Sequence, residues 1–316
     1  MTTETAPDVV AARGRVGARL VGRERELDLV LAAVAAGRDL VLEGPPGTSK
    51  TTMLTAITAE WGIPLLFVEG NADLTPAKLV GHHNPARVLK EDYSEDNFVA
   101  GPLTEAMRSG GFLYIEEFNR APDDTLNTLL TAMADRRLSI PRVGTVEALP
   151  TFRIIASMNP YDNVGTTRLS SSVHDRLCRL AVDYQDDEAE RGIVALRTGL
   201  PGTLDSTLGA SLVADAVAVT RTTREHPDVR QGSSVRGAID LALVAVQLGT
   251  LRGLRVDEEV TRGSAEPYAV LVLDAMLVAL SGRIHLDEAV DTTAERVLKE
   301  IWEDRFILQP SAAQPG

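Results

Sequence analysis

Gly44-Pro-Pro-Gly-Thr-Ser-Lys-Thr51 follows the short apolar run Asp39-Leu-Val-Leu-Glu43 and opens a helical pattern from Thr52. A strand that turns through small residues into a helix sets consecutive backbone N–H groups at the helix entry, where they can wrap phosphate oxygens. The closing pair completes a phosphate-loop pattern: Lys50 is placed to reach β and γ phosphates, and Thr51 offers a hydroxyl to Mg²⁺. Gly44, Pro45, Pro46, Gly47, Thr48, Ser49, Lys50, Thr51 and Thr52 are therefore candidate nucleotide-binding residues. The plain alternative is a strand-to-helix turn with no ligand. Ser49 stands where the pattern ordinarily has glycine, and its Cβ is expected to be tolerated because the position need not take a positive φ.

Outward from this turn, apolar runs at Asp39–Glu43, Pro64–Val68, Gly111–Ile115, Phe152–Ala156 and Cys178–Val182 alternate with helical patterns. Such alternation predicts βαβ units around a mostly parallel sheet covered on both faces, an α/β core. Beyond Pro201 the strand pattern stops. Helical spacing over Ser211–Thr220, Ser234–Leu248, Tyr268–Leu280 and Leu286–Phe306 predicts a smaller, all-helical second domain. The boundaries read from these patterns are a loose N-terminal arm at 1–17, a core at 18–202, a helical domain at 203–306 and a loose tail at 307–316.

Composition excludes several classes. The 316 residues carry 45 acidic and 32 basic side chains, a net charge of −13, without a Lys/Arg-rich block. That balance argues against holding nucleic acid by bulk electrostatics. The one cysteine, Cys178, rules out an intrachain disulfide and a Cys-cluster zinc site, fits a reducing cytoplasm, and reads as a packed thiol in an apolar strand. The longest apolar stretch, Ala269 to Leu280, is interrupted by Asp274 and falls well short of the ~20 residues that span a bilayer. No membrane anchorage and no secretory signal are expected.

Further chemistry gathers at the predicted strand ends. The third run closes in Ile115-Glu-Glu-Phe-Asn-Arg120, which delivers two carboxylates to the edge of the sheet beside the phosphate loop. Glu117 reads as the base that polarises water, and Glu116 as the metal-side carboxylate. Aspartate is usual at that second position, and the extra methylene shifts the geometry by about an ångström. The fourth run ends at Ser157-Met-Asn159, whose amide can orient water, and Asp175-Arg176 precedes the fifth run with a cation suited to phosphoryl transfer. Arg236 opens a predicted helix in the second domain.

These elements, in this order, resemble those of the AAA+ ATPases, and most of all the MoxR family, in the branch with an insert in the second core helix. Val21-Gly22-Arg23-Glu24, Gly101-Pro102-Leu103 and Glu117-Phe-Asn-Arg-Ala-Pro122 match its opening segment, its turn after the insert and the continuation of its acidic strand. Glu117-Phe-Asn-Arg120 is also similar to the gas-vesicle (GvpN-type) members. The resemblance covers about Leu20 to Phe306 and implies a three-layered core with strand order 5-1-4-3-2, an insert at about 73–102 and a helical lid.

It also implies a ring, usually hexameric, with ATP and Mg²⁺ at subunit interfaces. By motif position Lys50 and Thr51 are Walker A, Glu116 and Glu117 Walker B, Asn159 sensor 1, Arg176 the arginine finger and Arg236 sensor 2, with Val21 and Gly22 beside the adenine. Arg168 and Arg179 compete with Arg176 for the trans role. His82 and His83 lie in the insert, as pore residues or as exposed loop histidines; Arg136 to Arg142 resembles the hairpin before sensor 1, as a pore contact or a solvated face. The implied activity is ATP-driven remodelling or maturation of a client protein or complex in the cytoplasm, with a separate von Willebrand factor A domain protein as partner. The alternatives are an ATP-gated assembly scaffold with little hydrolysis, motivated by Glu116, and, disfavoured by the acidity, a DNA-directed motor.

Overall fold

The computed structural model describes residues 8–91, 93, 95–159, 170–200, 208–253 and 266–308, which leaves Arg168 and residues 309–316 of the expected tail outside the described residues. Its contacts divide the chain into two units, Met1–Asp183 and Tyr184–Gly316.

The first unit is built on strands β1 (Leu40–Glu43), β2 (Leu65–Glu69), β3 (Phe112–Glu116), β4 (Arg153–Met158) and β5 (Cys178–Ala181). All pairings are parallel, and in these labels the order is β2-β3-β4-β1-β5, the expected 5-1-4-3-2. The inner strands β1, β3 and β4 are apolar along most of their length because helices cover both faces; the edges β2 and β5 keep exposed side chains such as Phe67 and Arg179. Alternation sends successive residues to opposite layers. Leu42, Phe112, Tyr114 and Ile155 pack on Met53, Leu54 and Ile57 of the helix Lys50–Trp61. Val41, Leu113, Ile115 and Ile154 pack on Leu126 and Leu129 of the helix Asp123–Asp135.

Three details of packing depart from the sequence reading in this unit. The expected loose arm contains a helix, Val9–Gly17, capped by Asp8, with Ala12 and Val16 fully buried. Arg13 pairs with Asp28 and Arg15 with Glu60, tying this helix to Glu24–Ala35 and to the helix after the phosphate loop. Nine residues with Gly14 among them are too short and too polar to announce a helix by periodicity; its stability comes from the groove it fills.

Arg136, expected as a pore contact or part of a solvated face, is half-buried and paired with an acidic side chain, while Arg137 and Arg142 of the same cluster are exposed. Arg136 ends its helix at φ +51, and its guanidinium forks onto Asp39 at 3.2 and 2.7 Å. Asp39 also accepts the Ile154 N–H at 2.8 Å; burial pushes its carboxyl above the ordinary range, against the pull of Arg136. The third departure is Cys178, the first residue of edge strand β5, which is exposed rather than packed.

Two antiparallel hairpins project from the core connections: Gly81–His83 with Phe98–Ala100 in the segment after β2, and Arg137–Ile140 with Gly144–Glu147 before β4.

The second unit begins about twenty residues before the expected boundary at 202. The helix Asp187–Thr198 places Val194 in a core with Leu212, Val217, Leu241, Val272, Met276 and Leu298. The buried Glu190 of that helix is held by Arg221 and Arg224 at 3.1 and 2.8 Å. Nor is the unit all-helical: Val229–Gln231 pairs antiparallel with His285–Leu286, so the last helix starts at Ala294, capped by Thr293, instead of at Leu286. Among the described residues, no helix is long and apolar enough to cross a membrane.

Candidate nucleotide site

The site starts where β1 ends. A Cβ on Gly44 would lie 1.9 Å from the Val182 carbonyl oxygen, so only glycine passes between the ends of β1 and β5. The loop then uses two left-handed residues, Gly47 at φ +78 and Ser49 at φ +64, the kind of backbone state from which anion-binding nests of N–H groups are built. Ser49 therefore overturns the expectation for its position: it does take a positive φ, at about 1–2 kcal/mol for a residue with a Cβ. Lys50, only 8% exposed, donates from Nζ to the carbonyls of Gly44 and Pro45 at 3.0 and 2.8 Å and to Thr48 Oγ1 at 3.1 Å. Thr48 Oγ1 in turn bonds the Pro45 carbonyl at 3.0 Å, which stiffens the loop around the ammonium. Pro46 and Thr52 are exposed.

Neighbouring strand ends complete the edge. Glu116 is the last residue of β3, and Glu117 turns away at φ +53 with its carboxylate 3.0 Å from Arg120. Gly70 accommodates this turn, since a Cβ there would lie 2.4 Å from the Glu117 carbonyl oxygen. Asn159 follows Met158 at the end of β4, and the Met158 carbonyl accepts the Gly44 N–H at 3.1 Å, which brings Asn159 beside the start of the loop. A hydroxyl chain runs beneath: Tyr114 Oη lies 2.9 Å from Ser157 Oγ, 3.3 Å from Thr51 Oγ1 and 3.5 Å from Glu116 Oε1.

Other expected residues are dispersed. Val21 and Gly22 precede Arg23, whose buried guanidinium bonds Glu26 at 2.9 Å and the Asp183 carbonyl at 2.5 Å, anchoring the opening segment just past β5. Arg176 ends the short helix Ser171–Arg176, exposed, with one N–H on the Ser172 carbonyl. Arg179, within β5, pairs with Glu43 on the adjacent strand at 2.5 Å, with its side chain still largely exposed. Arg236 is exposed near the start of the helix Val235–Leu251 in the second unit. In the insert His82 is exposed, whereas His83 packs edge-on against Tyr93 and Phe98 at 5.1 and 5.3 Å.

The motif reading missed Arg120, Tyr114 and Ser157. The last two were legible by strand alternation, each lying two residues before a motif position and so on the same face. The residues present fit a magnesium nucleotide: left-handed loop residues, a glycine that admits no Cβ, a sequestered ammonium, and a hydroxyl and carboxylate joined through one phenol.

Comparison with known proteins agrees with this geometry. Residues 39–177 match the family described as an AAA domain of the dynein-related subfamily. The chain is 30% identical over 266 residues to the gas vesicle ATPase GvpN of Ancylobacter aquaticus, spanning 78% of this chain and 71% of that protein. It is 33% identical over 245 residues to protein NorQ of Paracoccus denitrificans, spanning 77% and 84%. A RuvB mutant of Thermotoga maritima has a TM-score of 0.52 and 17% identity over 82% of this chain and 71% of its own, a likeness of fold alone. The fold and site are those of a P-loop AAA+ ATPase. Within that class the chain belongs to the MoxR family, together with GvpN and NorQ.

Proposed function

We propose that the chain binds ATP with Mg²⁺ at the edge of the β1, β3 and β4 ends, hydrolyses it in a cytoplasmic ring of like subunits, usually six, and uses turnover to remodel or mature a partner protein. The observation that carries this reading is the convergence of Lys50, Thr51, Glu116 and Asn159 at one sheet edge with Glu117 alongside. Bound Mg²⁺ would supply Lewis acidity to the terminal phosphate. Lys50 would exchange its loop carbonyls for phosphate oxygens, Thr51 and Glu116 would face the metal, and Val21 and Gly22 would flank the base. Glu117 would orient and deprotonate water with Asn159, while Arg176 from the neighbouring subunit and Arg236 would balance charge in the transition state.

A cavity of about 650 Å³ lies between the two hairpins, bordered by His82, His83, Tyr93, Phe98, Leu138 and Arg142. It supports placing client contact on these hairpins. A separate von Willebrand factor A domain protein would complete the system, as the family resemblance implies.

The test is ATP turnover on protein sized by light scattering, with and without duplex DNA. Turnover indifferent to DNA is expected, with nucleotide affinity largely lost in Lys50→Ala and turnover lost but binding kept in Glu117→Gln. Wild-type affinity in Lys50→Ala removes the site assignment; stimulation by DNA revives the motor. Two observations favour a second reading, the low-turnover scaffold: Glu117 is held by Arg120 at 3.0 Å, and Glu116 is longer than the usual aspartate. Under that reading the wild type scarcely turns over, and Glu116→Asp raises the rate.

A further inference from the structure

The strand that delivers the two glutamates also delivers Tyr114, fully buried between the sheet and the helix Lys50–Trp61, with Phe67 edge-on at 5.8 Å. Phe112 and Ile155 fill the same layer with hydrocarbon alone, so packing by itself does not call for a phenol here. A buried hydroxyl is costly unless partnered, and each partner of this one sits on a motif: Thr51 of the phosphate loop, Glu116 of the acidic strand, and Ser157 two residues before Asn159.

Proton counting assigns the directions. A phenol has one proton to give, and an ionised carboxylate can only accept. Tyr114 therefore donates to Glu116 Oε1 and accepts from Ser157 and Thr51. The Thr51 proton is then turned inward to the phenol, and its oxygen lone pairs are left for the loop side. Glu116, one methylene longer than aspartate, gains a tether that limits the reach of its carboxylate.

We propose that Tyr114 is a positioning residue for the metal side of the site: its hydroxyl orients the Thr51 lone pairs and steadies Glu116, adapting the site to a glutamate in an aspartate position. This rests on the reading of Thr51 and Glu116 as the metal-facing pair.

Tyr114→Phe removes the oxygen and keeps the ring. The probe is Mn²⁺ titrated onto the full-length protein saturated with the non-hydrolysable analogue AMP-PNP and followed by electron paramagnetic resonance, with AMP-PNP affinity measured separately in EDTA. The expected result is Mn²⁺ affinity lowered about three- to tenfold, as for loss of one or two hydrogen bonds, with metal-free affinity within about twofold of wild type. In a Glu116→Asp background the same substitution should cost less, because the shorter carboxylate no longer needs the tether. Unchanged Mn²⁺ affinity in Tyr114→Phe overturns the proposal, and so does an equal loss of metal-free affinity, which would mark a packing role. Thr51→Ala separates the two layers: if it weakens Mn²⁺ and Tyr114→Phe does not, the tyrosine proposal alone falls. If neither does, the metal-side reading falls and the proposal with it.

Discussion

Two residues with side chains hold left-handed backbone at the site, Ser49 at φ +64 and Glu117 at φ +53. Each stores on the order of 1–2 kcal/mol, which persists because the surrounding loop overdetermines the conformation. For Ser49 the balance can be measured. Glycine there relieves the left-handed cost but loses about 0.5–1 kcal/mol to its unfolded-state freedom. Ser49→Gly is thus expected to stabilise the first unit by about 0.5 kcal/mol and to keep nucleotide affinity, whereas Ser49→Val, β-branched in the same conformation, should destabilise by more than about 1 kcal/mol and weaken binding. Chemical denaturation and nucleotide titration read both, and a valine variant that behaves like wild type would remove the strain argument. The same scale explains why Ser49 was misjudged: residue type and spacing are visible in the chain, but the sign of φ depends on how the loop closes against Met158 and Val182.

The helix Val9–Gly17 is the element where packing most outweighs local signal. Val16 is fully buried, and the helix leans on both Glu24–Ala35 and Lys50–Trp61, the second of which begins with the lysine of the phosphate loop. Val16→Ala should cost about 2 kcal/mol of first-unit stability, well above the fraction of a kcal/mol expected for a residue in a loose arm. Denaturant midpoints distinguish these values directly. The Arg13–Asp28 pair adds a pH signature: the hydrogen bond from Arg13 holds the Asp28 carboxyl below its ordinary range. With the folded pKa depressed, that contribution is full above the unfolded value and fades as pH falls through the folded one. Arg13→Ala should therefore lose stability at neutral pH and converge with the wild type in acid.

At the scale of the molecule, a ring reading gives Arg176 a test that no single subunit can pass. Arg176→Ala should bind ATP and hydrolyse it slowly, as should Glu117→Gln, since each removes an interaction specific to the transition state. If the arginine serves the neighbour, mixed rings contain sites with an intact Glu117 on one subunit and an intact Arg176 on the next, and mixing two inactive proteins restores part of the turnover. An arginine working within its own subunit leaves every site deficient. ATPase rate against mixing ratio, after subunit exchange is established, decides between them; a flat line rejects the trans role.

The sequence by itself determined the five strands, their mostly parallel pairing and the nucleotide loop, because each is written in short-range terms: apolar runs alternating with helical patterns, a small-residue turn and a Lys-Thr pair in a fixed succession, while the strand order was implied only by the family resemblance. Only the tertiary structure decided what depends on contacts between distant segments. Arg136 turned from a surface cation into the partner of Asp39, 97 residues away, and Cys178 stands exposed on an edge strand. The helix Asp187–Thr198 joined the second core, and a two-residue strand at His285 closed a pair with Val229–Gln231. The phenol of Tyr114 reached Thr51 across 63 positions of sequence. Local pattern fixes which backbone state a segment prefers, whereas the burial, charge pairing and hydrogen-bond partners of its side chains are settled by whichever segments pack against it.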